Sequence, residues 1–250
     1  MKNIILPIDF SECSLEMAKY SLRMFEKHPD VRLVLYYLYH SPENGESAYR
    51  AFESVRFGLP PEYLDRIETY AEEGEDFPTS ICAFSKRIEA VMIVTCLSRK
   101  TLKLVENNPC PIMIIPSNIG FREIRTVAIA SDFHHVERDT PVEAIRPILD
   151  LFHPELHIVN VNSDFYITLS EQYETERQKL AELFRDYDPE FDFLSMYDYQ
   201  ESIRLFVEEK QIDLLITIPH HHGFVADLFR EHHTVSLVMN SPIPVLAAHD

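Results

Sequence analysis

Tryptophan is absent from this sequence, and basic residues are scarce. There are 23 Lys and Arg against 41 Asp and Glu, which gives a formal net charge of −18 at pH 7. Phosphate binding needs clustered Lys and Arg, so this charge argues against a nucleic-acid partner and against an anionic membrane surface. The lack of tryptophan removes one common aromatic stacking platform. No apolar run approaches the length of a membrane span, so we expect neither nucleic acid nor a membrane among the partners.

Cysteine is confined to the first half of the chain, where it occurs as Cys13, Cys82, Cys96 and Cys110. None of these residues makes a CxxC pair, and a secreted disulfide framework would not leave the second half empty. The N-terminal residues read as a strand and lack the long apolar core of a signal peptide. We therefore expect reduced thiols and a cytoplasmic location.

Familiar catalytic motifs are also missing. The sequence contains no G-x-S-x-G, no P-loop G-x4-G-K-[S/T] and no HExxH. Cys13 lies at a predicted helix start, where the pKa of a thiol can fall. A small core or capping residue is the simpler interpretation of Cys13. We expect that the protein is not an enzyme and has no catalytic residues.

One apolar pattern occurs twice. Ile4–Phe10 and Val127–Phe133 are apolar runs that end in Asp-Phe. Each is followed by a helical stretch and three further apolar runs, the last of them introduced by Pro-x-Pro. Self-similarity on this scale indicates that one unit was duplicated and fused. The turn-rich segment 116–120 separates the copies, which predicts domains at 1–118 and 119–250.

The apolar runs are nearly continuous rather than alternating, which is typical of strands buried on both faces of a parallel sheet. Helical patterns lie between them, and this alternation gives right-handed crossovers. The sequence therefore predicts the α/β class, with two tandem doubly wound, Rossmann-like parallel sheets. Residues 41–78 are rich in Pro and Gly, and there we expect a helix near 61–72 and no clear third strand. In the second half the predicted strands are 126–131, 155–161, 190–197, 213–218 and 243–248, and the predicted helices are 140–151, 167–185, 199–210 and 224–238.

The carboxyl ends of the first strands are the first candidate site. Ligands of an open parallel sheet bind at this edge, where the strand order reverses. If the first strand of each copy is central, Asp9 and Asp132 lie there and can accept hydrogen bonds from a base or a ribose. The alternative is that each carboxylate merely caps the following turn or helix.

The loop Pro219–Phe224 is the second candidate, because it leads into a predicted helix. Free N–H groups at a helix N-terminus attract phosphate, and Gly223 permits close approach of the backbone. Histidines are concentrated at 134–135, 220–222 and 232–233. Imidazoles together with a carboxylate can hold Zn²⁺ or another transition metal. The alternative is a polar loop whose histidines only hydrogen-bond and fill space.

Two segments carry a resemblance to a known family. Leu6–Ser14 is close to the opening signature of the universal stress proteins, a strand followed by Asp-Phe-Ser and a helix. Asn108–Ile115 is similar to the closing Pro-Cys-Pro strand of that family. Val127–Phe133 and Ser241–Ala248 are weaker copies of the two segments. The chain thus resembles a tandem universal stress protein over essentially its whole length.

Members of the family that bind ATP carry the motif G-x2-G-x9-G-[S/T] after the fourth strand. In the second half, Gly223 fits the second glycine and Thr234 fits the Ser/Thr. His220 and His233 stand at the other two glycine positions, where their imidazoles would fill the space that phosphate oxygens need. In the first half, residues 95–99 follow the fourth apolar run and include no glycine. We therefore expect that the segment that wraps a triphosphate has been lost there.

The resemblance implies a stress-response protein that acts by binding and assembly rather than catalysis, with no cofactor and little or no canonical ATP binding. Two alternatives remain open. One is that ATP or another adenine nucleotide such as AMP binds in the second half, and the other is a transition-metal site built from the histidines. The residues of the modified nucleotide pocket are Asp132, His220, Gly223, His233 and Thr234, with Asp9 as the corresponding contact in the first half.

The final strand of each copy is the expected pairing surface. In the family, this strand pairs two domains. The resemblance implies that Ile112–Ile115 and Val245–Ala248 pair within this one chain and make a pseudo-dimer. Further assembly into a homo-oligomer is left open.

Overall fold

The computed structural model describes residues 1–57, 61–98, 101, 103–105, 110–117, 119–131, 133, 135–162, 171–195, 199–218 and 241–249. The chain divides into two compact units, Met1–Met113 and Ile114–Asp250. The domain limits predicted at 1–118 and 119–250 stay a prediction, because compactness does not show where each half folds on its own.

The first unit is built on a parallel sheet. Its strands are β1 (Lys2–Pro7), β2 (Val31–Tyr39), β3 (Ile67–Glu73), β4 (Ala90–Cys96) and the beginning of β5 (Ile112–Ile115), and its helices are α1 (Glu12–Met24), α2 (Pro42–Phe57), α3 (Pro61–Leu64) and α4 (Phe77–Arg87). β1 pairs in parallel with β2 and with β4, and β2 pairs in parallel with β3. The order is β3-β2-β1-β4-β5.

Sequence-local signals explain where these elements start and how they pack. The central residues of β1 and β4, Ile4–Leu6 and Met92–Val94, have no exposed surface. Strands buried on both faces need helices on both sides of the sheet. The helix α4 begins where Asp76 accepts a hydrogen bond from the Thr79 N–H at 3.1 Å, which is ordinary N-capping by aspartate.

The first half departs from the sequence prediction between residues 61 and 73. We predicted a helix near 61–72 and no clear third strand, and this is wrong, because α3 ends at Leu64 and β3 follows it. Ile67 and Ala71 are buried, whereas Glu68 is exposed and pairs with Arg32 at 2.8 Å. β3 stands at the end of the sheet order, and an edge strand tolerates charged side chains. Its acidic residues concealed the strand in the sequence.

The second unit repeats the design. Its strands are β6 (Thr126–Ser131), β7 (Glu155–Asn162), β8 (Glu190–Ser195), β9 (Leu214–Thr217) and β10 (Val245–Ala247), and its helices are α5 (Val136–Asp139), α6 (Val142–Phe152), α7 (Glu171–Leu183) and α8 (Tyr199–Glu209). All four strand pairs are parallel, in the order β10-β9-β6-β7-β8. The five predicted strands and three of the predicted helices are confirmed. The helix predicted at 224–238 lies outside the described residues.

The first strand is central in both units. β1 lies between β2 and β4, and β6 lies between β7 and β9. The strand order therefore reverses at β1 and at β6, which is the arrangement of a doubly wound sheet. The predicted α/β class with two such sheets in tandem is confirmed. The crevice in which a doubly wound sheet binds ligands is at the carboxyl ends of β1 and β6.

Two expectations about partners concern these elements. Among the described residues, no helix is both long enough and apolar enough to cross a membrane. The pairing of Ile112–Ile115 with Val245–Ala248 stays a prediction, and so does assembly into a homo-oligomer.

Candidate binding site

A hydrogen-bonded turn at Asp9 follows the carboxyl end of β1. Asp9 Oδ1 accepts hydrogen bonds from the Ser11 N–H at 3.0 Å and from the Ser11 hydroxyl at 2.5 Å. Ser11 is the N-cap of α1, since its backbone is extended and its Oγ accepts from the Ser14 N–H at 3.3 Å. Asp9 thus fixes the turn, as the alternative interpretation proposed, while Ser11 caps the helix. A nucleotide contact at Asp9 stays a prediction.

These hydrogen bonds keep the Asp9 carboxyl charged. Burial raises its pKa, but the hydrogen bonds from the side chain and backbone of Ser11, with one from Ser14, outweigh burial and lower the pKa below its ordinary value. Asp9 is nevertheless exposed. An anionic acceptor therefore faces solvent at the edge of the sheet, where it can take hydrogen bonds from N–H or hydroxyl groups of a ligand.

Both Asp-Phe motifs place the phenylalanine in a left-handed backbone conformation. Phe10 has φ of 60° and Phe133 has φ of 58°. The Phe10 ring centroid lies 5.3 Å from those of Tyr37 and Phe52, and the Phe133 ring stacks on Tyr173 at 5.1 Å. A bulky residue in this region costs about 1–2 kcal/mol, which ring packing has to offset. Backbone strain held by packing is typical of functional sites.

Cys96 ends β4 and lies beside the Asp9 turn. Cys13 lies in the first turn of α1, which packs against β4. Burial, then the neighbouring Cys13, and then the charge of Asp9 raise the pKa of Cys96. Cys13 is exposed. The interpretation of Cys13 as a small core or capping residue is therefore wrong.

The turn after β4 is held by its own hydroxyl groups. The Thr101 hydroxyl donates to the Cys96 carbonyl at 2.8 Å, and the Thr101 N–H donates to Ser98 Oγ at 3.1 Å. The hydroxyls of Ser98 and Thr101 are also hydrogen-bonded at 2.8 Å. A phosphate at this turn would need free backbone N–H groups, and the Thr101 N–H is already bonded.

The corresponding edge of the second unit follows Ser131, the last residue of β6. Ser131 Oγ accepts from the Phe133 N–H at 3.2 Å, and the Asn160 side-chain amide donates to the Ser131 carbonyl at 3.1 Å. Asn160 is buried on β7. These two bonds fix the backbone on either side of Asp132, which itself lies outside the described residues.

Glu176 fixes the short helix α5 at this second edge. Its carboxylate accepts from the Val136 N–H at 2.8 Å and contacts Lys179 Nζ at 2.9 Å. The hydrogen bond from Lys179 lowers the pKa of Glu176, burial opposes it, and the Val136 N–H adds to the lowering. Sequence reasoning missed Glu176, and its place in a predicted helix gave no signal.

Five predicted site residues fall outside the part of the chain that the structure describes. Asp132, His220, Gly223, His233 and Thr234 lie outside the described residues, so their role in a nucleotide pocket stays a prediction. In the part of the chain that the structure describes, no group of three or more His, Cys, Asp or Glu residues could hold a metal ion. Most histidines of the metal alternative also lie outside that part.

Sequence reasoning missed that Cys13 and Cys96 lie at the same edge of the sheet, although the chain offered a signal. Cys96 ends β4, Cys13 lies in the first turn of the helix after β1, and the first and fourth strands of a doubly wound sheet are neighbours. The structure thus brings together Asp9, Cys13 and Cys96 at one edge.

No protein-family model matches the chain, and no curated protein sequence matches it. Solved structures do match. A universal stress protein from Archaeoglobus fulgidus DSM 4304 gives a TM-score of 0.71 at 17% identity, over 99% of this chain and 96% of that one. A protein from Pseudomonas aeruginosa UCBPP-PA14, provisionally assigned as a universal stress protein, gives 0.60 at 13% identity, over 100% and 93%. A protein of unknown function from Pseudomonas aeruginosa PAO1 gives 0.60 at 15% identity, over 100% and 92%.

Because the sequence identities are low, these matches show the fold and do not show the roles of individual residues. Each match nevertheless extends over nearly the whole of both chains. The likeness therefore includes both units. This chain has the fold of the universal stress proteins.

Proposed function

We propose that this chain is a universal-stress-family protein that acts in a stress response by binding and assembly rather than by catalysis, with little or no canonical ATP binding. The observation that carries the proposal is the hydrogen bond from the Thr101 N–H to Ser98 Oγ, 3.1 Å long, after β4. This bond engages a backbone donor at the turn where ATP-binding members hold phosphate.

Charge at the same edge supports the proposal. The lowered pKa of Asp9 leaves a carboxylate facing solvent there. A phosphate brought to about 4 Å from it would be repelled by roughly 1 kcal/mol even in bulk water, and by more near a protein surface. The neighbouring Cys96 offers no positive charge to offset this repulsion, because a thiol is either neutral or anionic. The first unit is therefore proposed as a scaffold rather than a nucleotide site.

The assembly part of the proposal concerns the last strand of each unit. β5 consists of Ile112, Met113, Ile114 and Ile115, and β10 of Val245, Leu246 and Ala247, all of them buried. Apolar strands of this kind need a covering partner. We expect them to pair within the chain as a pseudo-dimer, in a cytoplasmic protein without a nucleic-acid partner.

Adenine-nucleotide binding in the second unit is the second candidate. It is favoured by Gly223 and Thr234, which keep two positions of the ATP motif. The two candidates differ in one property that can be measured. A ligand that binds only the folded state must raise the melting temperature, by mass action.

Thermal unfolding of the full chain distinguishes the two candidates. We expect no change in Tm with ATP or AMP and Mg²⁺ at about 1 mM, because a ligand far below its Kd stabilises nothing. Inorganic phosphate at the same ionic strength is the control for salt effects. A rise in Tm with ATP or AMP but not with phosphate would contradict the proposal and support the second candidate. Phosphate release from ATP at the buffer rate is the matching expectation for a non-enzyme.

A further inference from the structure

The outer edge of the second unit is a strand with an exposed aromatic ring. β8 stands at the end of the strand order, with β7 as its one neighbour among the described strands. Phe193 is 41% exposed, and Phe191 and Leu194 are half-buried. β3, the edge strand of the first unit, instead shows the charged side chains of Glu68 and Glu73 to solvent. Charges on an edge strand hinder its pairing with other strands, and this protection is missing around Phe193.

The register of β7 and β8 shows which backbone groups of β8 are open. The N–H of Glu155, the first residue of β7, bonds to the segment that leads into β6, at 2.8 Å. Backbone direction alternates along a strand, so even-numbered residues of β7 bond toward β8. Ile158 is paired with Phe191 and therefore bonds to the residues on either side of it. The N–H and C=O groups of Phe191, Phe193 and Ser195 consequently point away from β7.

The Phe193 ring is held in place from one side. Its centroid lies 5.6 Å from that of Tyr173 and 6.1 Å from that of Phe133, and Phe133 is 2% exposed. A ring that is already packed loses little freedom on binding, and aromatic residues of this kind are typical anchors of protein interfaces. The exposed side of Phe193 is thus preorganised for a partner.

We propose that β8 pairs with β8 of a second copy of this chain, antiparallel and with Phe193 opposite the copy's Phe193. A two-fold axis through this pair makes the interface isologous and brings the outward backbone groups of the two strands into hydrogen-bonding positions. Aromatic rings that face each other across two strands stabilise the pair. This assembly goes beyond the pairing expected within the chain, and it holds whether or not either unit binds a nucleotide.

The charges of β8 favour a second copy in this register. Asp192 lies opposite the copy's Leu194, and Glu190 lies beyond the carboxyl end of the copy's strand, so no carboxylate faces another. A register centred on Asp192 would place two like charges directly opposite each other, which is destabilising. Lys210 Nζ lies 2.9 Å from Asp192 and 3.7 Å from Glu190 and partly neutralises both. The strand is therefore compatible with itself.

Sedimentation equilibrium of the full chain at increasing concentration measures the dimer directly. We expect the mass to rise from one chain toward two. Phe193→Lys should weaken the dimer at least about tenfold, because it removes the ring pair and sets two positive charges opposite each other. Leu205→Lys is the matched control, since Leu205 on α8 is also 41% exposed, and it should leave the dimer affinity unchanged. A chain that stays monomeric, or equal affinities for the two variants, would overturn the proposal.

Salt distinguishes this interface from one held by ion pairs. The net charge of −18 acts against the association of two copies, and salt screens that repulsion. Ring contacts and backbone hydrogen bonds depend much less on salt. We expect the dimer affinity to rise between about 0.01 M and about 0.15 M salt. A fall in affinity over this range would contradict the proposed interface.

Disulfide formation tests the register. Phe193→Cys places two introduced thiols opposite each other at a Cα separation of about 5.5 Å, which a disulfide can span. Leu205→Cys controls for chance collision, and both variants also carry Cys13→Ser, because Cys13 is exposed. We expect Phe193→Cys to form covalent dimers in air at least about tenfold faster than Leu205→Cys. Equal rates, or faster cross-linking through Leu194→Cys, would contradict this register.

Discussion

Phe10 and Phe133 adopt the same left-handed backbone conformation, with φ of 60° and 58°, just after the first strand of their units. The duplicated Asp-Phe sequence therefore has a duplicated geometry. The packing of the two rings differs, because Phe10 is partly exposed whereas Phe133 is 2% exposed among Tyr173, Phe191 and Phe193. The strain is common to both copies, while the side-chain contacts that hold it have diverged.

Glycine should be tolerated better than alanine at position 133. Phe133→Ala removes a buried ring, at a cost of about 3–5 kcal/mol in the free energy of unfolding. Phe133→Gly should cost about 1 kcal/mol less, because glycine adopts positive φ freely. Urea unfolding measures both values.

Phe184 is the matched control for this comparison. It is fully buried but has φ of −115°, so glycine there should be the less stable of the two substitutions. If alanine were at least as stable as glycine at position 133 as well, strain at Phe133 would be excluded.

The Asp9 turn should make stability depend on pH. The pKa of Asp9 in the folded state lies below its ordinary value of 3.8. The stabilisation that the charged Asp9 carboxylate gives the folded state is therefore fully present above the ordinary pKa of 3.8. It is lost as the pH falls through the lower pKa of the folded state. The stability difference between the unaltered chain and Asp9→Asn, measured by urea unfolding, should be larger at neutral pH than near pH 3.

Ser11 supplies the two principal bonds to Asp9, so its removal is a separate test. Ser11→Ala should cost about 1 kcal/mol as a lost N-cap and should raise the pKa of Asp9 toward its ordinary value, which carboxyl-carbon NMR titration measures. Ser47→Ala is the control, because the Ser47 hydroxyl donates to the Glu43 carbonyl on an exposed helix surface, away from Asp9 in the sequence. An unchanged Asp9 pKa in Ser11→Ala would show that these bonds do not set it.

A buried histidine in the second unit gives a stability prediction. His157 is 6% exposed, and its Nδ1 bonds Asp192 Oδ2 at 2.7 Å, while Lys210 bonds the other Asp192 oxygen at 2.9 Å. Asp192→Ala should cost about 1–3 kcal/mol, because it leaves the imidazole N–H without an acceptor. Glu190, at 3.8 Å from Nδ1, is too far away to replace it.

Asp150 provides the comparison for Asp192. It accepts from the Tyr187 hydroxyl at 2.6 Å on the exposed surface. Asp150→Ala should change the free energy of unfolding by less than about 0.5 kcal/mol. Equal effects of the two substitutions in urea unfolding would contradict the role given to burial.

The parts of the fold that depend on long apolar runs could be predicted from the sequence. β9 and β10 of the second unit could be predicted because all their residues are buried, which leaves continuous apolar runs, whereas the edge strand β8 is partly exposed and was found from Phe191, Phe193 and Leu194. β3 could not, since an edge strand keeps charged residues such as Glu68 in solvent. Cys13 and Cys96 share one edge because β1 and β4 are neighbours, which becomes apparent only once the doubly wound strand order is recognised. Asp9 was found because it follows an apolar strand directly.

Restoring the lost glycines tests why the second unit would fail to hold a phosphate. His220→Gly combined with His233→Gly should raise ATP affinity by about tenfold or more, or roughly 1.4 kcal/mol, in isothermal titration. The imidazoles occupy the positions of two motif glycines, which the close approach of phosphate requires. His221→Gly with His232→Gly removes as many imidazoles beside the motif positions and should have no effect. Equal affinities for the two double variants would discredit the steric explanation.

The nucleotide content of the protein as it leaves the cell tests the central claim most directly. Protein purified without added nucleotide is extracted with acid, and the supernatant is analysed for ATP, ADP and AMP by ion-exchange chromatography. We predict far less than one adenine nucleotide per chain. A stoichiometric amount, close to one per chain, would contradict the claim that this fold has lost its canonical ATP site.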